Sequence, residues 1–147
     1  MKIGILEDNP VIFEYMKIAF EMKGHQVDVY TQGAALLDTL FTTSGVRSPL
    51  PYDVITIDLL LPGEISGLEV VARIREAIPV SQLPIIVISG VALSMLEEVQ
   101  KDFPQVPVLS KPFELHTLFR LLGKVQSDTG DDQSEQKQLL PRGNESV

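Results

Sequence analysis

The chain has 147 residues, of which 44% are apolar and 22% charged, a balance that suits one globular domain with a proper core. Its net charge of −8 argues against a surface built to hold nucleic-acid phosphates, which needs clustered Lys and Arg. With no cysteines, a disulfide framework, a thiolate metal site and a cysteine nucleophile are all excluded.

The N-terminal stretch MKIGILED has a short apolar run before two acids, too short for a signal peptide. No stretch approaches the ~20 apolar residues of a membrane span. These features predict a soluble, cytoplasmic protein with neither a membrane nor a nucleic-acid partner.

In chain order, KIGIL (2–6) opens as a strand, short and apolar. Asn9 can cap a helix with Pro10 at its first position. Ile12, Tyr15, Met16, Ala19 and Met22 then recur at helical spacing, and Gly24 suits a stop. QVDVY (26–30) alternates apolar and polar residues, as an edge strand does. A second helix fits 32–42, with Leu36, Leu37, Leu40 and Phe41 on one side. TTSGVRSPLPYD (42–53) reads as a long polar connection. DVITI (53–57) is a third strand, and a third helix starts at Gly67, carries Leu68, Val71 and Ile74, and ends before Pro79. PIIVIS (84–89) and VPVLS (106–110) complete the strands. Helices fit 93–102 and 113–125, the latter with Leu115, Leu118, Phe119 and Leu122 inward. Residues 126–147 lack an apolar period and read as a disordered polar tail, GDDQSEQ included.

Five strands alternating with five helices predict an α/β fold, a doubly wound parallel sheet covered on both faces. The flavodoxin-like strand order 2-1-3-4-5 is the common small arrangement of this kind. The domain is expected over 1–125, with 126–147 outside it.

In such sheets ligands bind beyond the carboxyl ends of the strands, where the strand order reverses. Here that point lies between the first and third strands. Glu7 and Asp8 follow the first, and Asp58 follows the third. Three clustered carboxylates repel one another unless a cation offsets them. Oxygen-only ligands favour Mg²⁺ or a similar hard ion. The same edge receives Ser89 from the fourth strand and Lys111 after the fifth. A metal, a lysine and a hydroxyl together suit a phosphoryl group.

At these residues the chain resembles the receiver domain of two-component response regulators, the CheY-like superfamily. The resemblance spans about 1–125 and rests on Glu7-Asp8, Asp58 with Pro62, Ser89-Gly90, and Lys111-Pro112-Phe113 in that order. It implies that Asp58 is the phospho-acceptor, taking a phosphoryl group from a sensor histidine kinase or phosphotransfer protein. It implies Mg²⁺ (or Mn²⁺) on Glu7, Asp8, Asp58 and the backbone carbonyl of Leu60. Ser89 matches the switch hydroxyl, Lys111 the lysine that contacts the phosphoryl group, and the Lys111–Pro112 peptide a cis bond. Such a protein catalyses its own phosphorylation and slow dephosphorylation without being an enzyme in the usual sense. It signals by binding a partner, and a homodimer through the fourth helix, fifth strand and fifth helix is open to it.

Some positions depart from the family pattern. Gly67 comes nine residues after Asp58, where eight is usual. Val108 stands at the switch position, three before the lysine, which usually carries an aromatic. Leu60 and Val91, at the positions that tune phosphoryl lifetime, offer no hydrogen bond to an attacking water, so self-dephosphorylation is expected to be slow. His25 and His116 fall outside the constellation. Two other readings stand beside this one. A degenerate receiver would bind partners without phosphorylation. An aspartyl phosphohydrolase usually needs a second acid two residues after its nucleophile, where this chain has Leu60.

Overall fold

The structure is a computed structural model that describes residues 1–139. Its elements are β1 (Lys2–Leu6), α1 (Pro10–Met22), β2 (Gln26–Tyr30), α2 (Gly33–Leu40), β3 (Phe41–Thr42), β4 (Gly45–Val46), β5 (Val54–Ile57), α3 (Gly67–Ala77), β6 (Ile85–Ser89), α4 (Leu93–Asp102), β7 (Val108–Ser110) and α5 (Leu115–Leu139). Five strands form one sheet in the order β2-β1-β5-β6-β7, and every pairing is parallel. Counting only these strands, the order is 2-1-3-4-5, the common arrangement for such a sheet.

Every residue of β5 and β6 is buried, which is why both read as unbroken apolar runs. The alternating β2 lies at the sheet edge. On one face Leu36, Leu40, Ile55, Ile57, Val71, Ile74 and Val99 pack together. On the other, Ile3, Ile5, Met16, Phe20, Ile86 and Leu118 do so. Helices therefore cover both faces, and the molecule has three layers.

The helices differ from the spacing-based expectation in instructive ways. In α1, Met16 and Ala19 are buried as expected, but Tyr15 is 49% and Met22 82% exposed. Met16, Ala19 and Phe20 already fill the contact with the sheet. Tyr15 stands about 100° around the helix from Met16 and falls outside it. The second helix is shorter than 32–42, and the connection after it is not merely polar. It folds into the antiparallel β3–β4 hairpin. Arg47 ties this hairpin to α2, its N–H donating to the Leu40 carbonyl at 2.9 Å and its Nε to the Thr39 carbonyl at 2.9 Å. Ser48–Pro49 is cis. Tyr52, near the end of the connection, is buried and donates to Asp28 Oδ2 at 2.8 Å.

The fifth helix begins at Leu115 rather than 113 and continues beyond the expected end at 125, to Leu139. Among the side chains described for it, Leu118, Leu122 and Val125 are buried. No proline interrupts 126–139, and nothing local forces the helix to stop. Of the tail expected over 126–147, residues 140–147 lie outside the described residues. Among the described residues, no helix is long and apolar enough to cross a membrane.

Candidate functional site

Backbone hydrogen bonds carry the sheet ladder one residue past its strands. The N–H of Glu7 donates to the Tyr30 carbonyl at 2.9 Å, that of Asp58 to the Leu6 carbonyl at 2.9 Å, and that of Lys111 to the Ser89 carbonyl at 3.0 Å. Residues far apart in sequence are thereby held at one edge. After Asp8 the chain turns into α1, whose first turn is capped by Asn9 accepting from the Val11 N–H at 3.0 Å, with Pro10 at the helix start. After Asp58, Ser66 caps α3 by accepting from the Glu69 N–H at 3.1 Å. Gly67 must be glycine, because a Cβ there would lie 2.0 Å from the Asp58 carbonyl oxygen and 2.6 Å from Leu59 Cα. The helix is thus pressed against the residue that carries the central carboxylate. In the loop before Ser66, Gly63 has φ 101°, a conformation that favours glycine.

The carboxylates of Glu7, Asp8 and Asp58 each place an oxygen within 4.8 Å of the others. Asp58 Oδ1 accepts from Ser89 Oγ at 2.9 Å and from the Leu60 N–H at 3.1 Å. Asp58 Oδ2 accepts from Lys111 Nζ at 3.0 Å. Lys111 Nζ also binds Glu7 Oε1. Glu7, Asp58 and Ser89 are buried, while Asp8 is exposed.

This crowding separates the two buried acids. Burial, reinforced by the neighbouring Asp58 carboxylate, pushes Glu7 up to about 7 against the pull of Lys111. Burial alone would raise Asp58 too, but its neighbours Glu7 and Lys111 and the Leu60 N–H together hold it below the usual carboxylate range. For Lys111, burial works against the charge, and the bonds to Glu7 and Asp58 overcome it and raise its pKa. One positive charge therefore serves a cluster of three acids. Glu7 Oε2 is buried without a partner, which is costly for a charged oxygen. Three carboxylates with a free buried oxygen fit a hard divalent cation.

The profile of the response regulator receiver domain matches residues 3–122. The chain belongs to the receiver domain family of two-component response regulators. Similar solved structures include the receiver domain of a sensor histidine kinase from Pseudomonas aeruginosa PAO1, solved with a magnesium ion coordinated in its active-site cleft. It is 25% identical, with a TM-score of 0.69 over 84% of this chain and 94% of that one. Response regulator TrrA from Thermotoga maritima, in complex with Mg²⁺ and BeF, is 25% identical, with a TM-score of 0.67 over 84% of this chain and 97% of that one. A CheY-like receiver domain protein from Methanospirillum hungatei JF-1 shares the fold at 18% identity, with a TM-score of 0.69 over 91% of this chain and 97% of that one.

The structure of this receiver domain brings Glu7, Asp8, Asp58, Ser89 and Lys111 together. Lys111–Pro112 is cis. The Leu60 side chain points out, 57% exposed. Val108 and Val91 are half-buried against the core beneath α2, α3 and α4, so Val108 lies in packing rather than at the cluster. His25 Nδ1 contacts the N-terminal amine at 3.1 Å, and exposed His116 sits 3.0 Å from Glu114. Neither belongs to the site. Sequence reading passes over Thr56. It is two residues before Asp58, on the same side of β5, buried, and lines a cavity of about 10 Å³ with Glu7, Met16 and Asp58. A polar residue inside an apolar strand was the available signal.

Proposed function

We propose that this receiver domain accepts a phosphoryl group on Asp58 from the phosphohistidine of a sensor histidine kinase or phosphotransfer protein, and then signals by protein–protein interaction. The observation that carries this reading is the setting of Asp58. Its two oxygens are held by Lys111 and Ser89 beside two further carboxylates. Glu7, Asp8, Asp58 and the Leu60 carbonyl would hold Mg²⁺ (or Mn²⁺). When bound there, the cation offsets the negative charge of the phosphoryl oxygens.

The remaining chemistry belongs to the chain. A carboxylate oxygen of Asp58 attacks phosphorus, a P–O bond forms, and the P–N bond to the donor imidazole breaks with its electron pair left on nitrogen. Asp58 is fit for attack because its neighbours keep it ionised. Lys111 Nζ, 3.0 Å from Oδ2, meets the incoming phosphoryl oxygens. Ser89 Oγ can transfer its bond from Oδ1 to one of them. The functional unit is read as residues 1–125.

The test is incubation with Mg²⁺ and acetyl phosphate, followed by intact mass. A phosphoryl adduct is expected in the wild type and not in Asp58→Asn. No adduct, with metal binding shown separately, would favour a phosphorylation-independent binding module. Val108 at the switch position is the observation on that side.

A further inference from the structure

We propose that Thr56 is a positioning residue for the metal site: its hydroxyl, through one buried water molecule, holds the Glu7 carboxylate in place for the cation. The metal-holding role of Glu7 rests on the function proposed above. The water site itself rests on the middle of the sheet.

Thr56 pairs with Ile5 on one side and with Ile86 on the other. Both isoleucines are 0% exposed, and Thr56 is 1% exposed. Side chains alternate along a strand, so Val54, Thr56 and Asp58 share the face of β5 that packs with Met16 of α1 and Leu118 of α5. A hydroxyl in a row of isoleucines costs free energy unless it finds a hydrogen-bond partner. Valine has the same shape and makes no such demand. The carboxylate row lies one step along the strands, with Glu7 two residues past Ile5 and Asp58 two past Thr56.

Residues of both rows line the cavity of about 10 Å³, room for a single water molecule. Glu7, Thr56 and Asp58 supply its polar lining, and Met16 and Ile88 are among its apolar walls. Buried waters sit where about three polar groups can bond them, above all groups that otherwise lack a partner. Glu7 Oε2 is such a group. It is buried and unpaired among the described residues, while Glu7 Oε1 binds Lys111. Glu7 is only 1% exposed, so bulk solvent does not reach it.

A water that bonds Thr56 Oγ1 and donates to Glu7 Oε2 satisfies both. A carboxylate oxygen has two lone pairs, so Oε2 keeps one for the cation. Glu7 is then held at both oxygens, Oε1 by Lys111 and Oε2 by the water, and its carboxylate is kept from turning about its last bond. Groups behind a metal ligand that fix its orientation carry much of the affinity of a metal site.

The test compares the wild-type chain with Thr56→Val and Thr56→Ser. High-resolution crystal structures of the three metal-free proteins are expected to show a water within hydrogen-bond distance of residue 56 and Glu7 Oε2 in the wild type and in Thr56→Ser, and none in Thr56→Val. Calorimetric titration with Mg²⁺ is expected to show affinity about tenfold weaker in Thr56→Val and restored in Thr56→Ser. A role in packing alone would leave that affinity unmoved, since valine fills the same space. No water in the wild-type cavity, no Mg²⁺ binding by the wild type, or Mg²⁺ affinity of Thr56→Val within about twofold of the wild type would each overturn the proposal. A wild type that holds the water and binds Mg²⁺ as expected, yet takes no phosphoryl group from acetyl phosphate, would overturn the phosphoryl-acceptor reading and leave the role of Thr56 standing.

Discussion

Glu7 and Asp58 are buried side by side with one lysine between them, and their protonation sets the pH behaviour of the metal-free protein. Glu7 is raised from 4.5 to about 7. Its contribution to stability is therefore full below 4.5 and is lost as pH rises through about 7. Asp58 is lowered from 3.8, so its contribution is present above 3.8 and is lost as pH falls through its folded value. Between these limits the metal-free protein is most stable. In EDTA, melting temperature should fall between about pH 5 and about pH 8, and Glu7→Gln should flatten that fall. A second residue-scale prediction concerns phosphoryl lifetime. Leu60 is exposed and Val91 half-buried, and both stand at the positions that the family resemblance links to phosphoryl lifetime. Leu60→Asn and Val91→Glu should each shorten the half-life of the acyl phosphate, read by timed intact mass. An unchanged half-life would show that these two residues do not set it.

At the scale of elements, the contact between α3 and the end of β5 is the tightest constraint on the site. A Cβ on Gly67 would overlap the Asp58 carbonyl. Gly67→Ala must push the helix or the strand end aside, at a cost of about 2–4 kcal/mol. Urea unfolding should show that loss, and acetyl phosphate labelling should slow because Asp58 moves with its backbone. The β3–β4 insertion follows a similar logic. α2 ends early, and Tyr52 packs against the sheet, with its hydroxyl on Asp28.

For the molecule as a whole, the site exists only because the sheet is assembled. Glu7, Asp58, Ser89 and Lys111 come from four strands, and the ladder that aligns them depends on the two cores. Metal binding should therefore report on folding. Mg²⁺ at about a hundred times its dissociation constant should add about 2.7 kcal/mol to stability, seen as a rise in melting temperature. Asp8 is the exposed member of the cluster. Asp8→Asn should leave the metal-free melting temperature nearly unchanged and abolish the Mg²⁺-dependent rise. A variant that keeps the rise would take Asp8 out of the metal site.

The amino-acid order by itself determined the five strands of the main sheet, the alternation with helices and the carboxylate edge. Apolar runs, caps and punctuation are local signals, and a parallel βα fold delivers strand ends to one side by rule. The strand order 2-1-3-4-5 is the common one for such sheets, and this sheet has it. Other features were decided only by tertiary packing. The face of α1 that meets the sheet depends on how wide a contact the core can fill, so Tyr15 and Met22 share the helical spacing of Met16 and Ala19 yet stand in water. The hairpin after α2 depends on Arg47 and Tyr52 finding partners on other elements. The separation of Glu7 from Asp58 depends on burial and on one ammonium group brought from 104 residues away, a distance along the chain that no local pattern records.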